Sequence, residues 1–463
     1  RRLAELYPRY GREVVEEAVE ELMASTERRL RARIREIPEG TYIHEDYIDN
    51  DGASLEPRKV RVAITVLEDS LIVDFTGTAP QSAGPVNVSL ACAIGFAGIA
   101  IRAVLDPKAR INQGVVRPIE VVSPPGTMLN ALPPAATGGA SLTGLVVMVI
   151  MGALAKALPK SVITGHTATC NNFHFSGYDT RQDPRRYFIY YDMPAEGCGA
   201  TSELDGIDTT RSVRGGNMNQ QPIEVLESKY PVLFQRFQIR DGSAGPGKQR
   251  GGHGIVMEYR VLDDGLLSVL SENAVVPPFG LFGGYAGEPS NWKVVRNGQA
   301  RDVSPFRSKA SVVPVSKGDI ILAEGAGGGG YGDPLERDPE RVREDVLNGF
   351  ICVEEARDLY GVVLDAPRYD IDWHSTERQR IQIDAQRLIL RARQGGAPRH
   401  FRGVRVMHLS KQLRGSNLLD GDLIELTWAG HPAAIRGVAK FSARVEDGEV
   451  MLDKEAWKVW KLT

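Results

Sequence analysis

Between residues 11 and 37 the apolar side chains Val14, Val15, Ala18, Val19, Leu22, Met23, Leu30 and Ile34 recur close to helical spacing, with Glu and Arg between them. This predicts a helix that packs one face and wets the other. Pro38 and Gly40 end it. The pattern then shortens to strands. RVAITVLE alternates apolar and polar positions and LIVDFTG is a more uniformly apolar run, so a hairpin is expected around Glu68 and Asp69. Residues 88–105 and 144–158 read as Ala- and Leu-rich helices. They are separated by the extended RPIEVV and the turn SPPGT, whose prolines forbid helix continuation.

From Ser161 to Leu322 the strand pattern returns in RRYFIYYDM, LFQRFQIR, HGIVMEYRVL and KGDIILAEG, each bounded by Gly, Pro, Asp or Asn. Antiparallel pairing is expected. A helix is predicted over 338–358, opening on Asp338 with Pro339 at its first position, and ICVEEARDLYG continues it as a second helix. DAPRYDIDWHSTERQR reads as a linker; a helix through Ile381 to Arg393 and a β-rich tail follow. The fold class is therefore α+β, loop-rich, with mixed antiparallel sheets and packed helices. We expect an α+β region over 1–160, a mainly β core over 161–364, and a linker helix with a small β-rich appendage over 365–463.

Composition narrows the function classes. A hydrophobic content of 42%, a charged content of 25% and a net charge of -3 give no electrostatic case for nucleic acid or for an anionic membrane. The longest apolar run, Leu145 to Ala155, is well short of the ~20 residues a bilayer span requires. Cys92, Cys170, Cys198 and Cys352 are widely separated and form no CxxC pair, which suits a reducing cytoplasm. The 49 glycines, by contrast, signal tight turns and close backbone contacts rather than a long bundle.

Candidate chemistry concentrates between Asp205 and Gly254. Asp205 and Asp208, in GCGATSELDGIDTTR, are the carboxylates considered for catalysis or cation binding; the competing use is a surface turn capped by Asx side chains. Asn217, Asn219 and Gln220 precede Glu224, and such amides suit a pocket that recognises a cyclic imide or amide without adding charge. A polar loop with Glu224 paired to Arg236 is the alternative. In AGGGGYGDP, the amides of Gly327, Gly328, Gly329 and Gly330 are candidates for an anion nest. That segment lacks the Lys and Ser/Thr of a phosphate-binding loop, so close backbone packing with Tyr331 as a lid competes. His44, His166, His174 and His253 show no zinc-site spacing, and Cys198 is the one cysteine in an accessible-looking loop.

VDFTGTAPQSAGPVN, VVRPIEVVSPPGTMLNALPPAA, PIEVLESKYP, DGSAGPGKQRGGHG, PPFGLFGG and AGGGGYGDP fall in an order that resembles the hydantoinase B family, over Arg1 to about Leu364. That family includes the B-type halves of ATP-dependent hydantoinases and 5-oxoprolinases and subunits of acetone and acetophenone carboxylases. The resemblance implies a heteromeric enzyme. An A-type partner would bind ATP with Mg, and a divalent metal (Zn, Mn or Fe) would sit on Asp and His ligands in NDP and HxxDxGG-like motifs that similar proteins carry before this region. Those motifs do not occur here. The chain is thus expected to be a C-terminal part, or to work with a separate chain carrying that half, to hold no metal itself and to be inactive alone. Similar proteins have DGxDGxH where this chain has DGIDTTR, which leaves a histidine role unfilled. Opening of a hydantoin, 5-oxoproline or lactam ring is the leading expectation; a ketone carboxylase subunit and a non-catalytic scaffold are the alternatives.

Overall fold

The structure is a computed structural model and describes residues 2–460 apart from 168, 170, 211–219, 398, 402–403, 415–417 and 428–433. It opens with α1 (Arg2–Tyr10) and α2 (Arg12–Ile34), then β1 (Gly40–Ile48), β2 (Arg58–Leu67) and β3 (Ser70–Asp74). α3 (Leu90–Leu105), β4 (Ile119–Val122) and α4 (Ala140–Leu154) follow. β1 to β4 form one sheet in chain order, with Leu67 opposite Ser70 at the β2/β3 turn and β4 parallel to β3. Helix α4 is apolar on all sides, so it is buried throughout: Val146, Val147, Val149, Ile150, Ala153 and Leu154 are inaccessible to solvent. α2 departs from expectation. Val15, Leu30 and Ile34 are buried, but Val14, Val19 and Leu22 are exposed, because only the C-terminal half of the helix meets the sheet core.

The central region carries β5 (Asn172–Asp179), β6 (Arg186–Asp192), α5 (Ile223–Lys229), β7 (Val232–Ile239), β8 (Ile255–Val261), β9 (Gly265–Leu270), β10 (Asn291–Arg296), β11 (Gln299–Asp302), β12 (Lys309–Val315) and β13 (Ile320–Glu324). They build a sheet of order β11-β10-β13-β8-β7 and another of order β12-β9-β5-β6, both antiparallel. The inward faces share an aromatic core in which Phe173 sits 5.2 Å from Tyr190 and 5.4 Å from both Tyr259 and Trp292, ring centre to ring centre.

Between these sheets and α4 lies a core made of backbone. The amides of Gly327 and Gly330 donate to Glu288 and Tyr285 of one neighbouring segment, while Gly328 donates to Gly252 and Gly329 to Gly165. Successive amides thus point to different neighbours and return after three residues, the periodicity of a polyproline-II-like chain that bonds sideways rather than to itself. A Cβ on these four residues would lie 1.6 to 2.1 Å from the carbonyl oxygens of Ser243, Cys198, Phe279 and Pro246. Only glycine fits.

Asp338 caps α6 (Pro339–Leu347) by accepting from the Glu340 amide, and α7 (Val353–Tyr360) closes on Gly361 with φ 65°. β14 (Leu364–Asp365) and β15 (Asp370–Ile371) form a short hairpin inside the stretch read as a linker. α8 (Trp373–Gln386) then starts at Asp372, whose carboxylate accepts from the Ser375 amide at 2.9 Å. The helix expected through Arg393 therefore stops early. Arg391–Gln394 is instead β16, pairing in parallel with Glu449–Leu452, because Leu390 and Ala392 pack on the tail core. The tail adds β17 (His400–Phe401), β18 (Val404–Ser410), β19 (Leu423–Leu426), β20 (Ile435–Ser442), β21 (Glu449–Leu452) and α9 (Lys454–Trp460). It docks on β1: Arg405 bridges Asp453 and Glu45, Arg436 bridges Glu425 and Asp46, and the Lys156 amine donates to the carbonyls of Ile43 and Val459.

Candidate functional site

A run of irregular, buried, polar chain joins α4 to β5. Thr167 and Thr169 are buried, as are Asn171 and Asn172 where it enters the strand. Asn171 has φ 48°, a left-handed conformation that asparagine tolerates better than most residues. Because Asn172 registers with Leu270, Asn171 lies beside Ser271, whose hydroxyl donates to its Oδ1. The Asn171 Nδ2 and the Thr169 Oγ1 are buried without a hydrogen-bond partner. Each such group costs on the order of 1–3 kcal/mol, and both sit in the buried polar stretch, or wall, that leads into β5.

The wall is braced on both sides. Tyr191 donates its hydroxyl to Asn172 Oδ1 at 2.6 Å, and Asp192, opposite Phe173 in the register, accepts from the Tyr190 hydroxyl at 2.7 Å and from Gln220 Nε2 at 2.5 Å. Gln220 thus joins this wall. On the other side, the turn after Ser271 is held by Asp49, which accepts from the amides of Ala274, Val275 and Val276 at 2.8–3.0 Å. The buried pair of Glu272 and Lys309 adjoins it. Asn217 and Asn219 lie outside the described residues. Glu224 is exposed on α5, and Arg236, its suggested partner, lies 3.6 Å from Glu258.

Asp205 and Asp208 come together in a different place, under α6. Asp205 accepts from the Arg250 amide, from both Nη atoms of Arg337 at 2.8 and 2.9 Å, and from Arg341 at 2.7 Å. Asp208 accepts from Arg250 Nη1 at 3.0 Å and from the His253 amide at 2.7 Å, with His253 Nδ1 at 2.9 Å. Asp345 closes the network on Arg250 and Arg337. Burial pushes the Asp205 carboxyl up, but Arg337, Arg250 and Arg341 outweigh it and hold it below its ordinary value. Burial likewise raises Asp208, and the His253 and Arg250 contacts overcome it to hold it well below the usual carboxylate range. Carboxylates so encumbered accept protons reluctantly. The network clamps the 205–208 loop and the glycine segment around 250 to the helix.

The sequence model described as hydantoinase B/oxoprolinase matches residues 1–334. The chain belongs to the hydantoinase B/oxoprolinase family. It is 33% identical, over 82% of its length, to a protein of Pseudomonas sp. (strain NS671) named, by inference, as the B component of a D-/L-hydantoinase, and covers 65% of that protein. It therefore spans slightly under two thirds of this curated relative. Among solved structures, the ATP-dependent caprolactamase of Pseudomonas jessenii matches with a TM-score of 0.72 and 25% identity, over 82% of this chain and 66% of that one. A nucleotide-free acetone carboxylase shares the fold, with a TM-score of 0.74 at 21% identity over 83% of this chain and 58% of that one.

For a hydantoinase B/oxoprolinase chain the cofactor question is concrete. Among the described residues no group of three or more His, Cys, Asp and Glu is placed to hold a metal ion. His166 Nδ1 lies 2.8 Å from the Gly197 carbonyl, His44 packs on Phe279 and His174 stacks on Tyr191. These three histidines are therefore each engaged separately and not brought together. The four amides of Gly327 to Gly330 all donate to main-chain carbonyls, so an anion there would have to displace them. Cys198 is no better suited to attack, since burial pushes its thiol up to about 11. Thr169 and Asn171 were not among the residues the sequence singled out. Their signal was present in TATCNN, a polar run without Gly, Pro or charge between an apolar helix and a strand.

Proposed function

We propose that this chain is the C-terminal part of a B-type subunit that opens a cyclic amide, a hydantoin, 5-oxoproline or lactam, together with an ATP-binding A-type partner. The observation that carries this reading is the family match together with likeness, over 82% of the chain, to proteins named for hydantoin and caprolactam hydrolysis. The buried wall supports it chemically. Asn171 Nδ2 is a neutral donor and Thr169 Oγ1 a neutral donor and acceptor, complementary to the carbonyl and N–H of an uncharged ring amide. ATP with Mg belongs to the partner in this proposal, and a divalent metal to residues outside this chain. The hetero-oligomer would work in the cytoplasm, where ATP is at hand. No described helix is long and apolar enough to cross a membrane. Asp205 and Asp208 position the loop beneath α6 rather than exchange protons.

The test is to incubate the assembled complex with ATP and, separately, hydantoin, 5-oxoproline or caprolactam, and in parallel with acetone plus bicarbonate. The ring-opened acid (an N-carbamoyl amino acid from hydantoin, a free amino acid from 5-oxoproline or caprolactam), with ADP and phosphate formed in step, is expected from at least one cyclic amide, and nothing from this chain alone. Carboxylated ketone without any ring opening would overturn the reading in favour of a carboxylase. Inactivity of every assembled combination would favour a scaffold.

A further inference from the structure

The tail sheet carries a cavity of about 700 Å³ outside the residues that the family model matches. Its floor follows from the register. β18 pairs with β20 in parallel and with β21 antiparallel, so Met451, His408 and Lys440 line up across three neighbouring strands. Side chains alternate along a strand, which places Val406 and Ser442 on the same face. Arg399 reaches the cavity from the preceding loop, which is anchored by the Val406 amide donating to the Arg399 carbonyl at 2.8 Å, and Arg444 reaches it from the turn after β20.

The charges on this face do not balance. Among the described residues Arg399, Lys440 and Arg444 have no carboxylate partner, whereas most arginines elsewhere in the chain do. Among the described residues the only acid in the lining is Asp453, and both its oxygens are taken, by Arg405 Nε and by the Ala456 amide, each at 2.8 Å. Burial, reinforced by the charges of Arg399, Lys440 and Arg444, holds the His408 imidazole below its ordinary value, which registers the positive potential inside the cavity. Uncompensated like charges in a concavity repel one another and are stabilised by a multivalent anion. Two guanidinium forks beside a lysine suit phosphoryl oxygens, and Met451 with Val406 adds an apolar surface.

We propose that this cavity binds a small organic polyphosphate, a molecule that joins two or more phosphoryl groups to an aromatic or apolar moiety. The remainder of the chain is net acidic, which disfavours a nucleic-acid strand as the occupant. The inference does not depend on the cyclic-amide reading. It is tested by calorimetric titration of the full chain with ADP, inorganic pyrophosphate, citrate and a short single-stranded oligonucleotide. ADP and pyrophosphate are expected to bind saturably at one site, ADP the tighter, with citrate and the oligonucleotide weaker. Lys440→Gln and Arg399→Gln are each expected to weaken ADP by at least about tenfold. Both side chains are exposed, so an unchanged melting midpoint should accompany that loss. Absence of saturable phosphate binding, equal or tighter binding of citrate or the oligonucleotide, or full ADP affinity in both variants would overturn the proposal.

Discussion

Arg337 and Asp205 meet side on across 132 positions of chain, Nη1 to Oδ1 at 2.8 Å and Nη2 to Oδ2 at 2.9 Å. Arg337 is almost wholly buried, so neutralising Asp205 leaves its charge with Asp345 as its one remaining carboxylate, and takes from Arg341 its carboxylate as well. Asp205→Asn is expected to cost about 3 kcal/mol, read as a shift in the urea midpoint of unfolding. The pH dependence has a definite sign. Both Asp205 and Asp208 have depressed folded-state values, so their contribution is complete above the ordinary carboxylate value of about 4 and is lost as pH falls below it. Asp205→Asn should flatten that acid limb; an unchanged limb would mean that the clasp does not form.

Gly328 and Gly95 make a paired test of the backbone core. A Cβ on Gly328 would fall 1.9 Å from the Cys198 carbonyl oxygen, whereas one on Gly95, in α3, meets nothing within 4 Å. Gly328→Ala is expected to destabilise by more than about 4 kcal/mol and to yield little soluble chain. Gly95→Ala should raise stability by about 0.5–1 kcal/mol through helix propensity. Soluble yield and thermal midpoint distinguish the two.

Thr169→Val separates recognition from structure. The substitution keeps the shape and removes a buried hydroxyl without a partner, so stability should hold or rise by about 1 kcal/mol. If the hydroxyl meets the ring amide, kcat/KM of the assembled complex for its cyclic amide falls by at least about tenfold. Unchanged turnover would remove Thr169 from the site.

Lys156 lies between β1 and α9, where burial pulls its ammonium down to about 7 against the opposing charge of Glu45. A lysine depressed in the folded state binds fewer protons there than when unfolded. Stability should therefore rise from about pH 7 towards the ordinary lysine value of about 10.4, by at most about 1.4 kcal/mol per pH unit. The difference between the parent and Lys156→Met across that window isolates the effect. A constant difference would show the amine to be free of that depression.

The sequence by itself determined the elements and the family. The prolines and glycines that bound the strands, the all-apolar stretch of α4 and the Asp338-Pro339 start of α6 act locally, so their consequences survive without knowledge of neighbours. Even there, Arg391 and its neighbours became a strand once Leu390 and Ala392 found the tail core, since burial outweighs a helical preference worth tenths of a kcal/mol.

What only the tertiary structure decided is who meets whom. Asp205 and Asp208 read as available acids in one dimension and are enclosed by Arg250, Arg337 and Arg341, which come from segments as much as 136 residues away. AGGGGYGDP reads as a nest until three separate segments take its amides. The polar wall escaped notice for the same reason: an unpartnered Thr169 or Asn171 is a property of the surroundings, and burial is set by packing between distant parts of the chain.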